Sequence, residues 1–181
     1  MKTLKGFDAV YCDASFFIAL FSKKDSKHKR ALELFKEIKE NRITIHTCWF
    51  IISEAMTVLL YQYGYSEALT FNQSIDLYRI FHSTESQHHQ AIALFNLFGK
   101  DRKISFVDAL SHVLISGELK NIPALSFDKD FKALGLTTIS WVPIPENCVR
   151  YLAAPRYGAS ICPDSFPTRN LQNSSGSPLS S

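Results

Sequence analysis

No apolar run in this 181-residue sequence reaches the ~18–20 residues that a membrane-spanning helix needs, so no membrane partner is expected. The opening stretch, "MKTLKGFDAVYCDASFF", has acids inside its apolar part and lacks a small-residue cleavage signature, which argues against a secretory signal. Cysteine is sparse. Cys12, Cys48, Cys148 and Cys162 are widely spaced, with no C-x-x-C pair. A chain this long buries a sizeable core without a disulfide framework, so the four read as buried or incidental thiols in a reducing, cytoplasmic setting. Zinc patterns (C-x-x-C, H-x-E, H-E-x-x-H) and internal repeats are also missing.

What is present is core-forming material: 46% hydrophobic and 13% aromatic residues, enough for one packed domain. The net charge of +3 is a weak pointer to an anionic partner. Its distribution is more telling, because "KKDSKHKR" (23–30) concentrates cations in one short stretch. A charge run of this kind is most often the solvated start of a surface helix.

The apolar pattern alternates between strands and helices. "AVYC" (9–12) fits a buried strand, followed by "ASFFIALF" and a helix through "SKHKRALELFKEIKE" with Asp25 as its N-cap. "ITIH" (43–46) is strand-like, and "WFIISEAMTVLLYQYG" is a strong helix closed by Gly64. A short helix at 66–72, a strand in "IDLYRIF", and a helix in "SQHHQAIALFNLFG" come next. The last elements are a helix from Ser105 to about Gly117, a strand "PALSF" (123–127), a helical turn "DKDFKALG", and a strand "TTISWV" (137–142). The expected fold is a three-layer α/β/α domain on a mainly parallel sheet of four to five strands. That domain takes residues 1–150, and the tail 151–181, ending in "DSFPTRNLQNSSGSPLSS", has the composition of a disordered segment.

Ligands of open parallel sheets bind outside the carboxyl ends of the strands. Asp13 directly follows "AVYC" and Asp128 follows "ALSF", although aspartate also favours turns and caps at such places. Glu54 sits in an apolar helix, with Phe50, Ile51, Val58 and Tyr61 as its wheel neighbours. Such a carboxylate either reaches solvent at a helix end or needs a partner, a proton or a metal. Asp108 lies in "ISFVDALSHVLI", where Ser105 and Asp108 match a capping box and Ser111 and His112 share its polar sector. Asp130 is a further candidate beside Asp128. Carboxylates gathered without balancing cations repel one another and raise each other's pKa. A hard divalent cation, Mg²⁺ or Mn²⁺, relieves that repulsion with oxygen ligands alone. His88 and His89 are adjacent and read as surface residues, and the stripe Phe71, Tyr78 and Phe81 reads as core.

In this order and spacing, "YCDASFFIALF…DSKHKRA", "ISEAMTVLL", "KISFVDALSHVLI" and "LSFDKDFKALGL" resemble the PIN-domain ribonucleases, and most of all the VapC-type toxins of toxin–antitoxin pairs. The resemblance covers about residues 8–142. It implies that Asp13 and Asp108 are the principal metal ligands, that Glu54 and Asp128 complete the acidic pocket, and that Asp130 competes with Asp128 for the fourth place. It further implies Mg-dependent hydrolysis of RNA, leaving a 5′-phosphate and a 3′-hydroxyl, together with a small antitoxin protein and a homodimer. Lys23, Lys24, Lys27, Lys29 and Arg30 then become candidate RNA contacts, while Asp25 and His28 match a family helix start. The alternative is a stand-alone or non-catalytic PIN-like module that binds RNA or protein. An aspartate-nucleophile phosphatase is disfavoured, because its D-x-D would follow the first strand rather than a late one.

Overall fold

A computed structural model describes residues 4, 6–102, 104–129, 131 and 135–137. Four strands form one all-parallel sheet in the order β3-β2-β1-β4: β1 is Ala9–Cys12, β2 Thr44–Cys48, β3 Arg79–Phe81 and β4 Ala124–Leu125. Six helices flank it among the described residues: α1 (Ala14–Phe21), α2 (His28–Glu40), α3 (Trp49–Val58), α4 (Tyr65–Asn72), α5 (Glu85–Arg102) and α6 (Phe106–Ser116). The result is the three-layer α/β/α architecture expected from the alternating pattern.

The strand order has one reversal. From β1 the chain builds outward to β2 and β3, then returns to lay β4 on the other side of β1. The C-terminal ends of β1 and β4 therefore lie side by side, with Cys12 opposite Leu125. Reversals of this kind open a crevice at the carboxyl edge, where the connecting helices depart in different directions. On the far side of β4, the Ala124 N–H donates to the Thr137 carbonyl at 2.8 Å. The rest of the expected strand at 137–142, half of "DKDFKALG" and the tail at 151–181 lie outside the described residues.

Local sequence accounts for most boundaries. α1 is apolar nearly throughout, and Phe16, Phe17, Ala19 and Leu20 are buried. Phe17 stacks within a ring cluster, 5.1 Å from Phe71 and 4.9 Å from Tyr78 between centroids. With Phe71 and Tyr78 buried and Phe81 half-buried, that aromatic stripe belongs to the core. α2 is amphipathic, burying Ala31, Leu34 and Ile38 at helical spacing.

Four details differ from the sequence expectation. Asp25 caps the turn before α2, its Oδ1 accepting from the Lys27 N–H at 2.7 Å, and the helix itself begins later, at His28. α3 gives way to a π-helical turn, Leu59–Tyr63, in which the Gly64 N–H reaches the Leu59 carbonyl at 2.8 Å. Gly64 then turns the chain with φ +121°, a conformation that L side chains rarely adopt. "IDLYRIF" splits into a 3₁₀ turn (Ile75–Leu77) and a three-residue strand, and α5 continues through Gly99.

Candidate active site

The first acid is fixed at the reversal point. Asp13 ends β1 and caps α1, its Oδ2 accepting from the Ser15 N–H at 3.2 Å. The same oxygen accepts from the Ser15 hydroxyl at 2.6 Å and from the Ser126 hydroxyl at 2.9 Å. The two serines also face the other way. Ser15 Oγ accepts the Phe127 N–H at 2.9 Å, and Ser126 Oγ accepts the Asp128 N–H at 3.0 Å. Two hydroxyls thus bridge the Asp13 carboxylate to the backbone that carries Asp128. Asp13 is only 5% exposed. Burial raises its pKa above the ordinary value, the serine bonds pull it back down, and the negative charge of Asp108 pushes it up again.

Sequence inspection missed both serines. Each stands two residues from an acid, in "DAS" and "SFD", but a serine near a strand end is common. The signal becomes specific only once β1 and β4 are known to be neighbours.

Asp108 does form the capping box. Its Oδ2 accepts from the Ser105 N–H at 2.9 Å and the Ser105 hydroxyl at 2.6 Å, while its own N–H donates to Ser105 Oγ at 3.1 Å. Its charge still acts on Asp13 and Glu54, so the cap faces the acidic crevice. The expected polar sector around it is only partly correct. Ser111 is fully buried and sits 3.2 Å from the Tyr11 hydroxyl, because α6 packs that face onto β1; His112 is half-buried.

Glu54 is solvent-exposed as one alternative expected, but from the middle of α3 rather than from a helix end. Its pKa is nevertheless raised to about 7, first by partial desolvation, then by the charges of Asp13, Asp108 and Asp128. All four acids therefore share one electrostatic neighbourhood. Asp130 lies outside the described residues. No three His, Cys, Asp or Glu side chains among the described residues are pre-assembled to hold a metal ion. In its chemistry the donor set suits a hard divalent cation: it is oxygen-only and anionic, and its members repel one another.

The remaining candidates divide. Lys23, Lys24, Lys27 and Lys29 are exposed at the α1–α2 connection and the start of α2, whereas Arg30 is bound to Glu33 at 3.0 Å on its own helix. His28 is structural, its Nδ1 lying 2.8 Å from the Ala19 carbonyl. His88 is not a free surface residue. It is half-buried between the rings of Phe50 and Phe106, with Nε2 2.7 Å from Ser83 Oγ. His89 is exposed beside Glu85.

An open groove of roughly 490 Å³ leads away from this crevice. It begins at Ser15 and Asp128 and runs between α1, the start of α2 and the π-helical turn. No helix among the described residues is long and apolar enough to cross a membrane.

Comparison with known proteins agrees with this architecture. The PIN domain family model matches residues 10–136. Among solved structures, the chain is similar to Mycobacterium tuberculosis VapC20, a toxin that cleaves the sarcin–ricin loop. The two are 28% identical, with 70% of this chain and 95% of that chain covered and a TM-score of 0.62. PAE2754 from Pyrobaculum aerophilum is similar in fold alone, at 14% identity, covering 72% of this chain and 90% of that one with a TM-score of 0.50. No curated protein matches by sequence. With most of its length covered by the family model and a VapC toxin among its structural relatives, the chain belongs to the PIN domain family.

Proposed function

We propose that this chain is a metal-dependent endoribonuclease that hydrolyses RNA phosphodiesters as the toxin of a type II toxin–antitoxin pair. The observation that carries the proposal is the convergence of Asp13, Glu54, Asp108 and Asp128 on one crevice at the sheet reversal, where Glu54 titrates at about 7. Asp13 and Asp108 would be the principal ligands of Mg²⁺ or Mn²⁺, with Glu54 and Asp128, or Asp130, completing the site. When bound, the ion supplies charge neutralisation for the phosphate and lowers the pKa of water.

The protein's own groups have separable tasks. Ser15 and Ser126 hold the Asp13 carboxylate in one orientation. The capping box does the same for Asp108. Glu54, held at about 7 in the metal-free protein by burial and then by the other three acids, would be ionised once a cation offsets those charges, and its carboxylate could then orient an attacking water. The expected products are a 5′-phosphate and a 3′-hydroxyl. The likeness to a VapC toxin supports an antitoxin partner; a homodimer and a cytoplasmic setting complete the proposal.

The test is cleavage of structured RNA with Mg²⁺, with EDTA, and with Asp13→Asn or Asp108→Asn, each variant first checked for cooperative unfolding. Cleavage that EDTA abolishes, and that falls about a hundredfold or more in both variants, supports the nuclease. Cleavage that survives in both folded variants overturns the assigned site. Absence of cleavage by the wild type under every condition favours a non-catalytic module.

A further inference from the structure

The groove beside the crevice has a composition that the acids do not explain. Its floor is apolar, made by Ile18 of α1, Val58 at the end of α3, and the rings of Tyr63 and Phe127. Its rim carries two exposed ammonium groups, Lys27 and Lys129, and the Gln62 amide. Of the cation run read from the sequence, only Lys27 lines the groove, and Lys129 was not among those candidates.

Tyr63 is held in place. Its hydroxyl donates to Asp25 Oδ2 at 3.2 Å, and the other oxygen of Asp25 accepts the Lys27 N–H. Asp25, which also lines the groove, keeps its negative charge, and its two oxygens anchor Tyr63 and the turn before α2. Phe127 is braced from behind by Phe16, at 6.3 Å between stacked rings. Gln62 and Tyr63 both belong to the π-helical turn, a rare geometry that is frequent at functional sites.

We infer that this groove is the subsite for one unpaired nucleotide next to the scissile phosphate, its base on the floor of Tyr63 and Phe127 and its phosphate between Lys27 and Lys129. The inference rests on the nuclease reading and specifies what enters the site. An apolar floor with aromatic faces is useful only to a base whose face is uncovered. In a paired stem the faces are stacked away, so the groove selects loops, bulges and single strands. The two lysines supply phosphate contacts at the entrance, and Gln62 offers a donor and an acceptor to a base edge. Asp128 closes the catalytic end.

The test uses a fluorescein-labelled hairpin RNA pool with a randomised loop, and a fully paired duplex of the same length. Binding is followed by anisotropy with Ca²⁺ in place of Mg²⁺, and cleavage is followed separately with Mg²⁺. Lys27→Ala combined with Lys129→Ala should weaken hairpin binding about tenfold or more and reduce the salt slope by about 1.4, as two lost single-strand phosphate contacts would. Tyr63→Ala should lose about fivefold to a hundredfold in affinity, as the loss of a stacking ring does, whereas Tyr63→Phe keeps the ring and should bind like the wild type. Lys36→Ala, on the exposed face of α2 and outside the groove, is the control and should change nothing.

Weakening in the groove variants, combined with preference for the hairpin over the duplex, supports the subsite. Groove variants that match a wild type able to bind and cleave overturn the subsite and leave the nuclease reading intact. Equal binding of duplex and hairpin overturns the unpaired nucleotide as occupant. A wild type that neither binds nor cleaves overturns the nuclease reading, and the subsite with it.

Discussion

Ser126→Ala removes a single hydroxyl but breaks two connections across the crevice. The wild-type hydroxyl donates to Asp13 Oδ2 at 2.9 Å and accepts the Asp128 N–H at 3.0 Å. Hydrogen bonds to charged groups contribute about 1.5–3 kcal/mol, and Asp13 is almost fully buried, so water cannot readily replace the lost donor. Asp128 is exposed, and its N–H can turn to solvent. The expected cost is therefore about 2 kcal/mol, nearly all of it from the Asp13 side. For a domain of this size that corresponds to a Tm lower by about 4–8 °C. The sign with pH is also determined. The serine bond favours the ionised carboxylate, so its contribution is present where Asp13 is charged and fades as pH falls through the folded-state pKa, which burial holds above the usual value. Thermal and denaturant unfolding followed by circular dichroism, in EDTA, should show a larger deficit at about pH 8 than at about pH 4. Ser126→Thr, which keeps the hydroxyl, should recover most of it. A deficit below about 0.5 kcal/mol, or one equal at both pH values, would refute the bridge as a charge-assisted contact.

Glu54→Gln should act in the opposite pH direction. Because the folded-state pKa is raised from 4.5 to about 7, the native protein holds an extra proton between those values. Its stability contribution is full below the lower value and lost as pH rises through the upper one. The glutamine variant should flatten that decline in urea titrations across the range; an unchanged slope would assign the decline to other groups. Phe17→Ala, which empties the centre of the ring cluster with Phe71 and Tyr78, should cost about 3–5 kcal/mol in denaturant unfolding. Replacing Lys23 and Lys24 together by Glu should weaken RNA binding and flatten its salt dependence, whereas Arg30→Ala, whose partner is already Glu33, should have a smaller effect in the same anisotropy assay.

The order of elements is legible because apolar periodicity and turn residues are local properties. "AVYC" coincides with β1, and the helix in "ISFVDALSHVLI" coincides with α6 together with its capping box. What local pattern misses are the outcomes of long-range competition. The π turn after Val58 and the 3₁₀ turn at Ile75 arise where packing overrides the helical or extended period. Ser111 shows the same limit: a polar residue on a nominally wet sector is drawn under α6 by the Tyr11 hydroxyl. The four acids were visible as separate anomalies, and the family resemblance supplied their grouping. The serine bridges and the groove were not visible, because they depend on β4 lying beside β1. Strand order is a property of the sheet rather than of any stretch of chain.

That strand order also governs when the site can exist during synthesis. Asp13 and Glu54 emerge from the ribosome early, but the bond from Ser126 to Asp13 spans 113 residues. Until β4 has emerged and docked, the growing chain lacks Asp128, both serine bridges and one wall of the groove. Contacts this distant in sequence form late, because the loop between them must close first. A nascent or truncated chain ending before β4 therefore carries three of the four acids, Asp13, Glu54 and Asp108, without the strand that completes the crevice. By this construction the site is a late product of translation, complete only once the last strand of the switch point has docked.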